Sequence, residues 1–200
     1  MFTVYLGLAG VLAMAGGAGI LGLWLRGNPS KTNAEKSSRI MHFLFFAGWG
    51  IPSLVAVFYP GLTHFDELMG LASLPWKPAF IALGIVLAVP GLYLLVVTNK
   101  SLRAFGSGTN AFRLTKRIVA DDIYKRTRNP MSLGFYMVAL ASALMLGSTS
   151  LTLGVLLGLI PAHLFFLKYF EEKELALRFG ESYLEYKKRV PFLIPRLGGS

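Results

Sequence analysis

The chain has 200 residues, of which 54% are apolar and only 15% are charged. One soluble core of this length could hardly bury so large an apolar share, so the composition excludes a purely water-soluble protein. The absence of cysteine excludes disulfides, thiolate zinc sites, iron–sulfur clusters and cysteine nucleophiles. A net charge of +10 favours nucleic-acid binding only if the basic residues share a soluble face, so their positions decide.

Four stretches of the chain contain no Asp, Glu, Lys or Arg: residues 1–25, 40–65, 78–99 and 129–167. The first three have 25, 26 and 22 residues, and about 20 suffice for a helix to cross about 30 Å of hydrocarbon. The last has 39 residues and must fold back, with the turn at Gly147 to Ser150. The sequence therefore predicts an all-α integral membrane protein with five transmembrane helices at about 3–25, 40–60, 78–98, 130–147 and 150–169.

The basic residues lie almost entirely on one side of these five helices. Segments 26–39 and 100–128 carry four and eight Lys or Arg, and the segment from Lys168 carries seven, whereas the other side has only Lys77. Lys and Arg near helix ends stay cytoplasmic, which predicts the N-terminus outside, the C-terminus inside and the first helix retained. The positive charge is then explained by topology, and we predict membrane lipids and no nucleic acid as partners.

Two polar segments on the predicted cytoplasmic face are candidates for chemistry. One is the loop of about thirty residues from Asn99 to Arg128, a length that is commonly functional or disordered. The other is Glu171-Glu172, at the inner end of the fifth helix. Because the fourth and fifth helices form a hairpin, we expect the two segments to meet in a pocket that has cations, carboxylates and an apolar lining.

Each of these features also has a purely structural interpretation. Gly106-Ser107-Gly108 is compatible with a flexible turn, and Arg128-Asn129-Pro130 with an interfacial anchor that precedes a helix start. Glu171 and Glu172 are compatible with the opening of a solvated helix. The individual motifs therefore leave a binding role and a structural role open.

The histidines and the aromatic residues near the C-terminus are more consistent with structural roles than with catalysis. His163 lies within the predicted fifth helix, where an interhelical hydrogen bond is favoured over catalysis. The three histidines are scattered, so no metal site is predicted. Phe179, Tyr183 and Tyr186 follow helical spacing, which predicts an apolar stripe that rests on the membrane from a cytoplasmic C-terminal amphipathic helix.

Taken together, these elements resemble the membrane methyltransferase superfamily that includes isoprenylcysteine carboxyl methyltransferase and the phospholipid (phosphatidylethanolamine) N-methyltransferases. The resemblance runs from about Leu102 to Arg196 and rests on the order and spacing of short motifs. These are Gly106-Ser107-Gly108-Thr109, Tyr124, Arg128 to Gly134, Glu171 to Leu175, Phe179-Gly180, Tyr183, Tyr186, Val190-Pro191 and Ile194-Pro195. The chain is accordingly interpreted as a single domain, 1–200, whose cofactor-binding part spans about 100–196.

The resemblance implies an S-adenosylmethionine-dependent methyltransferase whose donor binds at the cytoplasmic face. The acceptor implied is a lipidic or apolar small molecule that enters from the bilayer. By position, the family's cofactor contacts fall on Gly106, Gly108, Thr109, Lys116, Arg117, Ile118, Val119, Tyr124, Arg128, Asn129, Pro130, Met131, Ser132, Glu171 and Glu172. No catalytic residue and no metal ligand is assigned.

The sequence departs from the family pattern at three positions. Asn129 stands where histidine is common, and Ser132 stands where tyrosine is frequent. Leu167 replaces the substrate-binding arginine of the isoprenylcysteine enzymes, which disfavours a prenylcysteine carboxylate as the acceptor. Two other interpretations stay open: a sterol-reductase-like membrane enzyme that uses NADPH, and a non-catalytic membrane scaffold that keeps the fold.

Overall fold

The structure, a computed structural model, describes residues 1–59, 61–105 and 116–195. Its helices are α1 (Phe2–Gly27), α2 (Lys31–Phe58), α3 (Phe65–Met69), α4 (Lys77–Phe105), α5 (Pro130–Leu146), α6 (Thr149–Phe179) and α7 (Glu181–Arg189). Short 3-10 turns occur at Leu62–His64 and Asp122–Lys125. These three ranges contain no β-strand, so the predicted all-helical class is confirmed.

Within the same ranges, four helices are long and apolar enough to cross a membrane: α1, α2, α4 and α6. Helix α5 is also apolar but has only 17 residues. At about 1.5 Å per residue it is about 26 Å long, slightly less than the hydrocarbon thickness of about 30 Å. The chain is therefore a multi-pass membrane protein with four full-length candidate spans and one shorter apolar helix in place of the predicted five.

Three helices extend well beyond their predicted spans. Helix α2 begins at Lys31, nine residues earlier than predicted, because Ser30 caps it by accepting a hydrogen bond from the Asn33 backbone amide at 3.1 Å. Helix α4 continues to Phe105 and α6 to Phe179. Hydropathy detects the part of a helix that lies in hydrocarbon, so it misses the polar turns that continue beyond it.

The second and last long helices contain π-helical segments next to prolines. The segment Phe46–Gly50 precedes Pro52 in α2, and the segment Gly154–Leu159 precedes Pro161 in α6. Proline has no backbone N–H and clashes with the carbonyl four residues earlier, and a widened turn accommodates both effects. Each of these two π-segments thus ends two residues before a proline.

Glycine pairs bring helices together at two places. A Cβ on Gly10 of α1 would collide with the Gly48 backbone of α2, and a Cβ on Gly134 of α5 would lie 2.8 Å from the Gly91 carbonyl oxygen of α4. Small residues permit such close approach in lipid. At Gly7, Gly16 and Gly19 of α1, a Cβ would have no atom of another described helix within 4 Å, so helix packing does not require glycine there.

The turn between α5 and α6 lies at the end of the bundle opposite Arg128. Gly147 ends α5 in the left-handed conformation, with φ of 69°, and the predicted turn is confirmed. Asp66 of α3 accepts hydrogen bonds from the Ser148 hydroxyl at 3.0 Å, the Thr149 amide at 3.1 Å and the Ser150 amide at 2.7 Å. This carboxylate therefore caps the N-terminus of α6.

At the other end of the bundle, α1, α2 and α6 meet in a core of fully buried side chains. Its members are Met14, Ala18, Leu25, Ala34, Met41 and Phe170. Arg26, at the end of α1, donates to the Tyr169 carbonyl oxygen at 3.1 Å and lies over the ring of the same residue. This packing fixes the end of α6 against α1 and α2.

Candidate active site

A buried ion pair joins the start of α5 to the end of α6. Arg128 Nη1 lies 2.7 Å from Glu172 Oε1, and the two side chains are only 8% and 10% exposed. Lys187 Nζ lies 2.6 Å from the other oxygen of Glu172, and Lys168 Nζ lies 3.6 Å from Oε1. The structure thus brings together the two polar segments that sequence reasoning placed side by side, and Glu172 is surrounded by three cations.

The segment after α7 packs along the residues that precede α5. The Arg128 amide donates to the Pro191 carbonyl oxygen at 2.9 Å, and the Asn129 side-chain amide donates to the Phe192 carbonyl oxygen at 2.9 Å. The Thr127 hydroxyl donates to the Leu193 carbonyl oxygen at 2.8 Å. Asn129 therefore acts as a neutral donor that holds the C-terminal segment.

A second buried ion pair lies one helical turn further along α6. Arg178 Nη1 is 2.7 Å from Glu174 Oε1, and both side chains are almost fully buried. The Ser38 side chain of α2 also hydrogen-bonds to Glu174. The Ser38 contact therefore connects this pair on α6 to α2.

Both ion pairs border a cavity of about 510 Å³ that is lined by α2, α4, α5, α6, α7 and the chain around Tyr124. Ten of the predicted cofactor contacts line it: Ile118, Val119, Tyr124, Arg128, Asn129, Pro130, Met131, Ser132, Glu171 and Glu172. Lys116 and Arg117 are exposed and lie outside the lining, and Arg117 Nε donates to the Phe105 carbonyl oxygen. Gly106, Gly108 and Thr109 lie outside the described residues.

Glu171 and Arg128 each bring to the cavity a polar group that lacks a hydrogen-bond partner among the described residues. The carboxylate of Glu171 has neither a hydrogen bond nor an ion pair there. Arg128 Nε is buried and likewise unpartnered, although Nη1 of the same guanidinium is bound to Glu172. Buried polar groups usually have partners, so these two are available to a polar ligand.

The tyrosines of α7 form one wall of the cavity. Gly180 turns the chain between α6 and α7 with φ of 58°, and the Tyr183 and Tyr186 side chains are 4% and 6% exposed. The Tyr186 hydroxyl donates to the Tyr124 carbonyl oxygen at 2.8 Å. The predicted membrane-facing stripe is therefore wrong for these two residues, because the spacing of a helix face does not reveal what the face covers.

Burial also sets the protonation of these phenols. It raises the pKa of Tyr183 and Tyr186 well above the ordinary value, and it does the same for the pKa of Tyr124. All three side chains are consequently neutral at physiological pH and able to donate hydrogen bonds.

The opposite end of the cavity is aromatic. Phe45 of α2, Phe135 of α5 and Phe166 of α6 line it together with His163. His163 Nδ1 lies 2.8 Å from the Tyr136 hydroxyl, which confirms the predicted interhelical hydrogen bond. Leu167, at the position where a substrate-binding arginine is found in the isoprenylcysteine enzymes, is 2% exposed and lines the same cavity.

Sequence reasoning missed the face that α2 contributes to the cavity. Ser38, Met41, His42 and Phe45 all line it. They follow one another at the spacing of a single helix face, so the signal was present in the sequence. The predicted span begins at residue 40, because hydropathy detects the part of a helix that lies in hydrocarbon and does not show that its polar continuation lines a cavity.

The architecture and the cavity define a helical membrane protein that has a charged, ligand-sized site at one end of the bundle. The profile of the phospholipid methyltransferase family matches residues 79–182, just over half of the chain. The chain belongs to this family of membrane methyltransferases.

Two characterised relatives agree with that membership. A methanethiol S-methyltransferase from Pseudomonas deceptionensis is 32% identical over 169 residues, which cover 84% of this chain and 49% of that enzyme. Methanethiol S-methyltransferase 2 from Bradyrhizobium diazoefficiens is 38% identical over 77 residues, which cover 38% of this chain and 27% of that enzyme. The chain thus spans half or less of these relatives, and no solved structure matches it significantly.

Proposed function

We propose that the protein transfers a methyl group from S-adenosylmethionine to a lipidic or apolar small molecule that enters from the bilayer. The observation that carries the proposal is the cavity of about 510 Å³, which residues from four separate stretches of the chain line jointly. Its volume lies within the range of about 300 to 1,000 Å³ that is usual for small-ligand sites. We also propose that residues 1–200 form a single domain whose cofactor-binding part spans about 100–196.

The free polar groups of the cavity fit this donor. A carboxylate such as Glu171 can accept hydrogen bonds from ribose hydroxyls or an amine, and Arg128 Nε can donate to the methionyl carboxylate. Lys168 and Lys187 bind Glu172 and so keep the Arg128 guanidinium from being fully neutralised by that carboxylate. Arg128 and Glu171 would therefore bind the donor directly, while Glu172 would position the Arg128 guanidinium.

The donor supplies an electrophilic methyl group on a sulfonium, and its transfer is an in-line displacement. The chain's contribution would then be alignment of donor and acceptor and exclusion of water. Phe45, Phe135 and Phe166 give the inner end of the cavity an apolar wall suited to both tasks.

The nature of the acceptor is limited by Leu167. An apolar residue at this position offers no counter-ion for an acceptor carboxylate. The names of the relatives point to a small thiol, and the family description points to a phospholipid. Both are compatible with an acceptor that reaches the cavity from the membrane.

We also infer that α5 is the fifth span and that the cavity opens at the cytoplasmic face. Its 17 residues meet the lower limit of about 17 for a membrane helix. The basic residues around Arg128, Lys168 and Lys187 gather at the cavity end of the bundle, and such residues favour the cytoplasm. The N-terminus would then lie outside.

The proposal is tested by calorimetric titration of the purified protein with S-adenosylhomocysteine, the product of the donor. Glu171→Gln replaces one acceptor oxygen of the side chain with an amide nitrogen that can only donate, and it should weaken binding at least tenfold because a ribose hydroxyl or an amine then loses its acceptor. Glu181→Gln, on the exposed start of α7, is the matched control and should bind like the wild type. Equal affinities for the two variants would refute the assignment of Glu171.

A further inference from the structure

The aromatic end of the cavity contains His163, a titratable side chain whose chemistry the proposed donor site does not use. His163 lies eight residues before Glu171 on α6, about 12 Å along the helix. The ring centroids of Phe45, Phe135 and Phe166 lie 5.4, 6.3 and 5.5 Å from that of His163. The imidazole is thus surrounded by three aromatic rings, here called the aromatic box, and lies about two helical turns from Glu171 along α6.

The hydrogen bonding of His163 leaves one ring nitrogen available. Nδ1 is bound to the Tyr136 hydroxyl, while Nε2 has no hydrogen-bond partner among the residues that the structure describes. The ring is 8% exposed, and it lines the cavity. When the Nδ1 hydrogen is donated to the Tyr136 oxygen, Nε2 carries a lone pair and is a hydrogen-bond acceptor.

The chemistry of a ligand at this end is restricted by the absence of charge. The charged residues that line the cavity, within the described part of the chain, are Arg128, Glu171, Glu172, Glu174 and Arg178. All of them belong to the α6 end or to the start of α5, and none lies in the aromatic box. A carboxylate or a phosphate would lose its hydration there without gaining a counter-ion.

The geometry points to His163 Nε2 as the group that receives the proton of a small, uncharged thiol during methyl transfer, with Tyr136 as its positioning residue. This inference rests on the proposed function. In the step, the thiol sulfur forms a bond to the methyl carbon, and the bond from that carbon to the donor sulfonium breaks with its electron pair left on the donor sulfur. The thiol proton passes to Nε2, so the products are two thioethers and an imidazolium.

The charge balance of this step suits the aromatic box. One positive charge leaves the donor sulfur and one appears on the imidazole, so the apolar end of the cavity never holds a net negative charge. The stacked ring of Phe166, 14° from the plane of His163, offers its π-face to the imidazolium, and aromatic faces stabilise cations. A general acid–base contribution of this kind accelerates reactions by about 10² to 10⁴.

A thiol fits this site better than an amine. Alkylamines hold a proton at neutral pH, as the lysine side chain does, and would reach the aromatic box as cations with no nucleophilic lone pair. Thiols are mostly neutral at that pH. Their pKa is also closer to the pKa of imidazole than the pKa of an alkylamine is. Divalent sulfur is also polarisable and packs favourably against aromatic rings.

The test uses the purified full chain in detergent with S-adenosylmethionine as donor and methanethiol as the probe acceptor, and it measures dimethyl sulfide. His163→Gln should lower kcat at least 100-fold while the affinity for S-adenosylhomocysteine stays within twofold of the wild type. Added imidazole should restore part of the rate of His163→Ala. Tyr136→Phe, which removes only the hydroxyl, should lower kcat about tenfold, and His64→Gln at the opposite end of the bundle is the control.

The possible outcomes separate this inference from the proposed function. If His163→Gln binds S-adenosylhomocysteine and keeps its kcat within threefold, His163 does not take the proton. If the wild type binds S-adenosylhomocysteine but does not methylate methanethiol, the thiol assignment is overturned while donor binding stands. If the His163 variants do not fold, an unchanged kcat in Tyr136→Phe overturns the dyad, and a wild type that binds no S-adenosylhomocysteine overturns the proposed function itself.

Discussion

Glu171 and Glu172 are neighbours in sequence but have different surroundings. Glu172 accepts from Arg128 and Lys187 at 2.7 and 2.6 Å, whereas Glu171 has no such partner in the described part of the chain. Successive side chains on a helix point about 100° apart, and Glu171 ends the π-segment Phe166–Glu171. One carboxylate can therefore stabilise the site while the other is available to a ligand.

The role of Glu172 leads to a prediction about stability. Glu172→Gln leaves Arg128 buried with only a neutral partner, and breaking a buried pair in this way typically costs about 3 kcal/mol. We expect the free energy of unfolding, measured by denaturant titration in mixed micelles, to fall by about that amount. Glu185→Gln on the exposed side of α7 should change it by less than about 0.5 kcal/mol. A similar loss in both variants would contradict the role assigned to the ion pair.

Asp66 predicts a pH dependence at the other end of the bundle. Burial alone would raise the pKa of Asp66, but hydrogen bonds from Ser150, Ser148 and Thr149 outweigh it and lower the pKa below the ordinary value of 3.8. A carboxyl whose pKa is lowered on folding stabilises the fold above its unfolded pKa, and this contribution is lost as the pH falls through the folded pKa.

We therefore expect Asp66→Asn to lower the melting temperature at pH 7. Toward pH 3, the melting temperatures of the variant and the wild type should converge. The exposed neighbour Glu67 provides the control variant Glu67→Gln, which should match the wild type at both values. If the melting temperature of Asp66→Asn lies below that of the wild type by the same amount at pH 7 and at pH 3, the charge of Asp66 does not contribute to stability.

At the scale of elements, helices α4 and α5 pack through glycine. A Cβ on Gly134 would lie 2.8 Å from the Gly91 carbonyl oxygen and 3.0 Å from Leu94 Cβ. Atoms cannot remain so close, so any side chain at this position must separate the two helices. The position of Arg128, which precedes α5, depends on this contact.

Alanine substitution tests the glycine contact. Gly134→Ala should lower the free energy of unfolding by about 1 to 3 kcal/mol, as is usual when a packed interface receives extra atoms. Gly16→Ala in α1, where no neighbour lies within 4 Å, should be neutral or slightly stabilising because alanine favours helix. Equal melting temperatures for these two variants would argue against close packing of α4 and α5.

At the scale of the whole molecule, the sequence was most informative where chemistry constrains it strongly. The charge-free stretches predicted the apolar helices, and the hairpin argument predicted that the chain at Arg128 and at Glu172 would meet, as the 2.7 Å ion pair shows. Both inferences follow from the cost of placing charge in hydrocarbon.

Other features depend on what a helix face covers in the folded protein, and the spacing of its residues in the sequence does not show this. Ser38 and Met41 line the cavity because α2 continues into the polar region, and hydropathy gives no sign of that continuation. Tyr183 and Tyr186 cover the cavity because Gly180 turns α7 back over it. The resemblance placed Lys116 and Arg117 by position alone, and their exposure shows that alignment with a motif does not fix the direction of a side chain.

The central claim, that one cavity holds a sulfonium-type methyl donor, is tested most directly by thermal shift of the purified protein in detergent. A ligand that binds only the folded state raises the melting temperature, by an amount that grows with its concentration relative to Kd. We predict that S-adenosylhomocysteine raises the melting temperature and that NADPH does not. Stabilisation by NADPH alone would indicate a reductase, stabilisation by neither would indicate a scaffold, and either result would contradict the account.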